Sequence, residues 1–303
     1  MKKHLLAMRD LSAQDITELL DLAEKLKTEQ KSGIEHKLLA GKTLGMIFQK
    51  SSTRTRVSFE VGMYQLGGQA LFLSSRDLQI GRGEPIQDTA RVLSRYLDGI
   101  MIRTYAHEEV EALAKYGSIP IINGLTDYAH PCQILADLLT IREYKGDLKG
   151  LKIAFIGDGN NMANSLTVGC LTAGMSVAIA CPAAYQPDPQ VLSFAAAYPD
   201  RFLLTDNPLE AAQNANAVYT DVWASMGMEE EIEQRKHDFA SYQVNSAVMA
   251  QAKPDALVLH CLPAHRGEEI TADVMESHAN EIFDEAENRL HAQKAVLVKL
   301  LGE

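Results

Sequence analysis

Apolar residues along this chain follow two alternating patterns. Short unbroken apolar runs, which suit strands buried on both faces, alternate with longer stretches whose apolar positions recur at helical spacing. Ser12 followed by Asp15 is a capping-box variant, and Ile16, Leu19, Leu20, Leu22, Ala23 and Leu26 form the stripe of a first helix. Strands are predicted at Thr43–Phe48, Ala70–Leu73, Gly99–Ile102 and Ile119–Ile122, with helices at about 53–66, 86–96 and 108–116 between them. A long helix from Pro131 to Tyr144 has Leu135, Leu138, Leu139 and Ile141 on its apolar side and stops at Lys145-Gly146-Asp147. A second series opens with the strand Lys152–Ile156. It continues with strands near Val177–Cys181, Phe202–Leu204, Ala217–Thr220 and Ala256–His260, and an amphipathic helix from about Asn280 to Leu301 closes it. The alternation predicts an α/β fold of two doubly wound parallel-sheet domains with right-handed crossovers, divided near residue 147.

Composition narrows the class. The chain has 303 residues, 46% apolar and 23% charged, which excludes collagen-like and disordered proteins and gives two domains enough residues for separate cores. No apolar run approaches the ~18 residues of a membrane span. Arg9 and Asp10 interrupt any signal-peptide core, so a cytoplasmic protein is expected. Cys132, Cys170, Cys181 and Cys261 are widely spaced, with no C-x-x-C pair, which argues for free thiols and against a zinc site. The net charge of −11 argues against nucleic-acid binding. Residues 1–146 carry 19 basic and 18 acidic side chains and residues 147–303 carry 10 and 22, so the acidic excess lies in the second half. A near-neutral half suits an anionic ligand and an acidic half a cationic one, although local fields decide binding.

Chemistry concentrates where predicted strands end. Strand Thr43–Phe48 runs into Gln49-Lys50-Ser51-Ser52-Thr53-Arg54-Thr55-Arg56 at the start of a helix. Free N–H groups, hydroxyls and guanidinium forks at a helix N-terminus make an anion site; a plain N-cap with solvated arginines is the bland alternative. Asp127-Tyr128-Ala129-His130-Pro131-Cys132-Gln133 enters the long helix and brings His130, either a turn residue or a polarising group, to the carboxyl end of a parallel sheet. The turn Gly157-Asp158-Gly159-Asn160-Asn161-Met162 lacks the third glycine of a dinucleotide fingerprint. The acidic residue expected about 20 positions on is also missing, so NAD binding is disfavoured and the Asn amides are left to cap the helix or meet a ligand. Asp221 could anchor an ammonium group or cap a helix, and Cys261 could hydrogen-bond, attack or simply pack. His260 and Cys261 are not read as a catalytic pair, because adjacent strand residues face opposite ways.

Together, Ser52-Thr53-Arg54-Thr55, His130-Pro131-Cys132-Gln133, Asp221-x-x-x-Ser225-Met226-Gly227 and His260-Cys261-Leu262-Pro263 resemble the aspartate/ornithine carbamoyltransferase superfamily, the last two motifs its ornithine branch. The resemblance spans nearly the whole chain, including Gln79-Ile80-Gly81-Arg82-Gly83-Glu84 and Glu287-Asn288-Arg289-Leu290-His291. It implies a carbamoyl phosphate-binding domain, 1–146, to which a C-terminal helix at about 280–303 returns, and an ornithine-binding domain, 147–280. It further implies that Ser52, Thr53, Arg54 and Thr55 hold phosphate, with Gln79 contributing from a neighbouring subunit. Arg103, His130, Pro131, Cys132 and Gln133 would surround the carbamoyl group, with Cys261, Leu262 and Arg289 completing the site at the reacting centre. Asn161, Asp221, Ser225 and Met226 would bind ornithine. Arg54, Arg103, His130, Asp221 and Cys261 are the implied catalytic residues.

The implied reaction moves the carbamoyl group to the δ-amine of L-ornithine, giving L-citrulline and phosphate in arginine metabolism, with no metal and no cofactor. The expected partners are the two small substrates and further copies of the chain, in a homotrimer or an assembly of trimers, with no nucleic acid and no membrane. Alternatives are a carbamoyltransferase for another amine such as putrescine or a modified ornithine, an NAD-dependent oxidoreductase, and a non-catalytic binding protein on the same scaffold.

Overall fold

The computed structural model describes residues 3–225 and 229–302, with the side chain of residue 229 left aside, and divides the chain into two compact units. The first unit holds Met1–Leu139 and Asn288–Glu303. Its elements are α1 (Ala13–Lys31), β1 (Thr43–Phe48), α2 (Thr53–Gln65), β2 (Gln69–Ser74), α3 (Ile86–Leu93), β3 (Gly99–Arg103), α4 (His107–Tyr116), β4 (Ile121–Leu125) and the start of α5 (Pro131–Lys145). The second unit, Thr140–Glu287, follows with β5 (Lys152–Ile156), α6 (Asn161–Thr172), β6 (Ser176–Ala180), α7 (Pro189–Ala195), β7 (Phe202–Thr205), α8 (Pro208–Ala212) and β8 (Ala217–Thr220). Then come α9 (Ile232–Asp238), α10 (Ser246–Met249), β9 (Leu257–His260) and α11 (Ala272–Ser277). The last helix, α12 (Ala279–Leu301), carries the chain back into the first unit, and among the described residues no helix is long and apolar enough to cross a membrane.

Both sheets are wholly parallel. The first runs β2-β1-β3-β4 and the second β7-β6-β5-β8-β9. In each, the first strand by sequence has its successor on one side and a later strand on the other. This reversal of direction opens a crevice at the carboxyl ends of β1 and β3 in one unit and of β5 and β8 in the other. The pairings Phe48↔Arg103 and Ile156↔Thr220 mark those two points. The α/β class and the doubly wound sheets therefore stand as the sequence pattern predicts.

Burial explains why the runs are unbroken. Ile47, Ile100, Ile102 and Ile121 are fully buried with Ala90, Val110 and Leu113 of α3 and α4. In the second unit, Ile156, Val218 and Val258 pack with Trp223, Phe239 and Ile282, while Phe155 stacks on Tyr219 at 5.8 Å. Each such side chain contributes about 1.5–3 kcal/mol on leaving water. Two elements differ from expectation. The strand predicted at Ile119–Ile122 runs instead over Ile121–Leu125, because Asn123 pairs with Ile102 and, past an irregularity at Gly124, Leu125 pairs with Arg103. Asn123 N donates to Leu5 O at 2.8 Å and its side-chain amide to Leu6 O at 2.8 Å, while a Cβ on Gly124 would lie 2.5 Å from Met101 Sδ. The helix predicted to reach Tyr96 ends at Leu93, where Ser94 Oγ donates to Ala90 O at 2.6 Å and accepts from Ser118 N at 3.0 Å. The two compact units divide between Leu139 and Thr140, inside the continuous helix α5.

Candidate active site

In the first unit the site begins at a helix start. Ser52 holds extended backbone angles and caps α2, accepting from Thr55 N at 3.2 Å, while Ser52 Oγ stands 3.1 Å from Thr55 Oγ1. This cap leaves Thr53 exposed and Arg54 half-buried on the first turn, at the positive end of the helix. Thr55 is fully buried and is the meeting point of the cluster. Arg103, the last residue of β3, donates to its Oγ1 at 3.4 Å, and Arg289 of α12 donates to it at 3.3 Å.

Arg289 is held on every side. Its Nη1 donates to Gln133 Oε1 at 2.6 Å, and Gln133 in turn donates to Asp137 Oδ1 at 2.8 Å. Gln293, its amide oriented by its hydrogen-bonding neighbours, accepts from Arg289 Nε at 3.2 Å. His130 is buried directly before α5. Burial, with the Arg289, Arg103 and Arg54 guanidiniums adding to it, holds its imidazole well below the ordinary histidine range. A neutral imidazole among three guanidiniums can polarise a carbonyl, and the surrounding charge invites an anion.

Three first-unit residues singled out in the sequence stand apart from that cluster. Pro131 opens α5, its missing N–H costing nothing in the first turn. The Cys132 thiol is turned into the core, donating to Asn123 O at 3.5 Å, and burial pushes its pKa up to about 12. Gln79 is exposed on a 3-10 turn, and among the described residues no hydrogen bond ties its side chain to the cluster.

The second unit brings three loops together at the carboxyl ends of β5, β8 and β9. Asn160 caps α6, its Oδ1 accepting from Met162 N at 2.9 Å and Ala163 N at 3.3 Å, while its Nδ2 donates to Asp221 Oδ2 at 3.1 Å. Asp221 Oδ1 accepts from Val222 N at 2.8 Å and from Cys261 Sγ at 3.1 Å. Asn161 is buried at the start of α6, Ser225 is half-buried, and Met226 lies outside the described residues. Leu262 takes a left-handed φ of 58° and precedes a cis peptide to Pro263.

His260 turns away from Cys261, as the alternation of strand side chains requires. Its Nδ1 accepts from Leu262 N at 2.9 Å, which places the ring proton on Nε2, 3.0 Å from buried Glu269. Asp221, His260 and Cys261, and separately His265, Glu268 and Glu269, bring possible metal-ligand atoms within 4.8 Å of one another. Hydrogen bonds account for contacts in both groups, among them Cys261 to Asp221 and His265 N to Glu269 Oε1 at 2.6 Å. Motif reading missed Asn160 as the partner of Asp221, and it missed Glu269 and Arg235. The Asn-Asn pair at a strand-to-helix turn signalled the first; nothing local signalled the others.

Residues 3–143 match the family described as aspartate/ornithine carbamoyltransferase, carbamoyl-P binding domain, and residues 149–300 match its Asp/Orn binding domain. The chain is 59% identical over 301 residues to the ornithine carbamoyltransferase of Carboxydothermus hydrogenoformans, covering 98% of this chain and 97% of that protein. It is similar in structure to the ornithine carbamoyltransferase of Pyrococcus furiosus, with 53% identity, a TM-score of 0.94, and 99% and 97% of the two chains covered. The anabolic ornithine carbamoyltransferase of Campylobacter jejuni matches at 43% identity and a TM-score of 0.93, covering 99% of each chain. With both domain descriptions matched in order and relatives similar along their full length, this chain belongs to the aspartate/ornithine carbamoyltransferase family.

Proposed function

We propose that this protein transfers the carbamoyl group of carbamoyl phosphate to the δ-amine of L-ornithine, giving L-citrulline and phosphate. The observation that carries the proposal is the convergence of Arg103 and Arg289 on Thr55, beside a neutral His130 that also feels the Arg54 charge. Ser52, Thr53, Arg54 and Thr55 bind the phosphate, and Arg103, His130, Gln133 and Arg289 serve the carbamoyl end. In the second unit Asn161, Asp221, Ser225 and Met226 receive ornithine, with Cys261 and Leu262 beside the reacting carbon.

The chemistry needs no covalent intermediate, because carbamoyl phosphate is already an activated mixed anhydride. The neutral δ-amine attacks the carbonyl carbon, and negative charge gathers on the carbonyl oxygen. The C–O bond to phosphate then breaks with its electron pair leaving on phosphate, and the amine proton departs with it. Thr55, Arg103 and His130 stabilise the oxyanion, an effect worth about 3–4 kcal/mol per donor. Arg54 offsets the charge of the leaving phosphate, and Asp221 holds the amino-acid end of ornithine so that proximity lowers the barrier.

The protein works in the cytoplasm as a homotrimer or an assembly of trimers, with Gln79 completing a neighbour's site. Edge strand β2 and helix α2 support this assembly: Val57, Tyr64, Leu71 and Phe72 are exposed there, and an uncovered apolar edge is a liability. The functional test is formation of citrulline and phosphate from carbamoyl phosphate and an acceptor panel of L-ornithine, putrescine and N-acetylornithine, without nucleotide. Ornithine should be the preferred acceptor, and at low ornithine the rate should rise between about pH 6 and 9 as the amine, near pKa 10, deprotonates. Turnover of putrescine or N-acetylornithine in preference to ornithine would overturn the assignment.

A further inference from the structure

One guanidinium serves two loops in the second unit. Arg235, on α9, is buried, and its Nη1 donates both to Asp158 Oδ2 at 2.7 Å and to the backbone carbonyl of Trp223 at 2.9 Å. Its Nε donates to Glu231 Oε2 at 2.8 Å. The ring of Tyr185 lies against the guanidinium with its centroid 4.9 Å away, and Tyr185 OH donates to Asp238 Oδ2 at 2.8 Å. Asp158 Oδ2, the Trp223 carbonyl and Glu231 Oε2 are therefore held by one cation.

The places it grips are informative. Asp158 stands two residues before Asn160, and Trp223 two residues after Asp221. Asn160 is immobilised between its cap on α6 and its bond to Asp221 Oδ2 at 3.1 Å. A shift of one loop relative to the other therefore strains the Asn160–Asp221 bond and changes the spacing between Asn161, the next residue, and the Asp221 carboxylate. The Asp158 turn also has no slack, because a Cβ on Gly159 would lie 2.3 Å from Gln186 C and 2.4 Å from both Pro187 N and Tyr185 O. Fold stability alone does not explain such a pair, since the desolvation of two buried charges consumes much of their attraction and apolar residues of similar volume often serve as well.

We propose that Arg235 is a positioning residue for the amino-acid acceptor: by tying the Asp158 turn to the Trp223 carbonyl it sets the spacing of Asn161 and Asp221. The assignment rests on the ornithine-binding role given above to those two residues. Burial pushes the Asp158 carboxyl up to about 6, with Asp221 and Glu231 reinforcing the rise, Arg235 opposing it and the Cys181 thiol close by. Protonation of Asp158 removes the charge that Arg235 grips, so the acceptor site loosens as pH falls through that value.

Asp158→Asn and Arg235→Lys separate this role from a structural one, because lysine keeps the charge but loses the planar fork. In both variants the KM for ornithine should rise at least tenfold, while the KM for carbamoyl phosphate stays within twofold and unfolding remains cooperative. L-norvaline, an α-amino acid of the same chain length without the δ-amine, supplies a readout independent of turnover. Measured by calorimetry with carbamoyl phosphate present, its Kd should weaken at least tenfold in both variants. In the parent protein that Kd should weaken from about pH 7.5 to 5, a range in which norvaline itself does not titrate, and Asp158→Asn should flatten the change. Ornithine KM and norvaline Kd within twofold of the parent would overturn the proposal, as would equal rises in both substrates' KM with loss of cooperative unfolding. A parent protein that binds norvaline but makes no citrulline would instead overturn the proposed reaction.

Discussion

Arg54 shows how much a single side chain can be asked to do. It stands half-buried on the first turn of α2, at the positive end of the helix, where a guanidinium reinforces the attraction for an anion. Arg54→Ala should leave thermal unfolding unchanged and remove a charged hydrogen bond worth about 1.5–3 kcal/mol, a loss of roughly 10- to 150-fold in kcat/KM. Steady-state rates within about threefold of the parent would contradict that role. His130 makes the complementary case. Burial and the three neighbouring guanidiniums favour its neutral form, so its imidazole should show no titration midpoint at or above the ordinary 6.5 by NMR in the substrate-free protein. A midpoint of 6.5 or higher would mean that the positive cluster does not act on it. Sequence pattern located both residues but not the orientation of Cys132, whose thiol is turned into the core within the same motif.

At the scale of elements, two serine caps separate folding from chemistry. Ser12 accepts from Asp15 N at 3.1 Å and Asp15 returns a bond to Ser12 N at 3.0 Å, a complete capping box on a helix that no proposed site residue occupies. Ser52 caps α2 beside Arg54 through one such bond, accepting from Thr55 N at 3.2 Å with no carboxylate among the described residues returning it. Ser12→Ala and Ser52→Ala should each cost about 1 kcal/mol in denaturant unfolding, and only the second should lower kcat/KM. A matching loss of activity in Ser12→Ala would break that separation. Helix α12 offers a pH test. Lys294 is fully enclosed, donates to Gln65 Oε1 at 2.9 Å, and is pulled by burial down to about 8, Glu29 acting in the opposite sense. Between about pH 8 and 10.5 the unfolded chain then binds more protons at this site than the folded one, so the group adds stability as pH rises through that window. Lys294→Met should make the urea midpoint less steeply rising over the same range; an unchanged slope would show that Lys294 is not desolvated. Of these features the caps were legible in the sequence, as were the strands of both sheets, because hydrophobic period and capping are local. The shift of β4 was not, because Asn123 is a strand residue through its bonds to the Leu5 segment and Gly124 through its close fit against Met101.

At the scale of the whole molecule, each unit is built on a parallel sheet, with candidate site residues such as Arg103 and Asp221 at the carboxyl ends of its strands. The proposed assembly bears on this scale too. Arg56 lies over exposed Phe72, its guanidinium carbon 3.7 Å from the ring centroid, on the apolar face made by α2 and edge strand β2. Light scattering should give a mass of three times the 33.3 kDa chain, or a multiple of it, and Phe72→Asp should yield monomers with greatly reduced activity because Gln79 then lacks a neighbour to serve. A parent protein that is monomeric and fully active would refute both points.

The sequence by itself determined the order and type of the elements, the caps, and the stretch Ser52-Thr53-Arg54-Thr55, because each depends on residues a few positions apart. Only the tertiary structure decided which distant residues meet. Arg289 reaches Thr55 across 234 positions, and Arg235 reaches Asp158 across 77. Those meetings depend on which strands lie side by side and where helices return, a property of packed sheets that no local spacing of residues encodes.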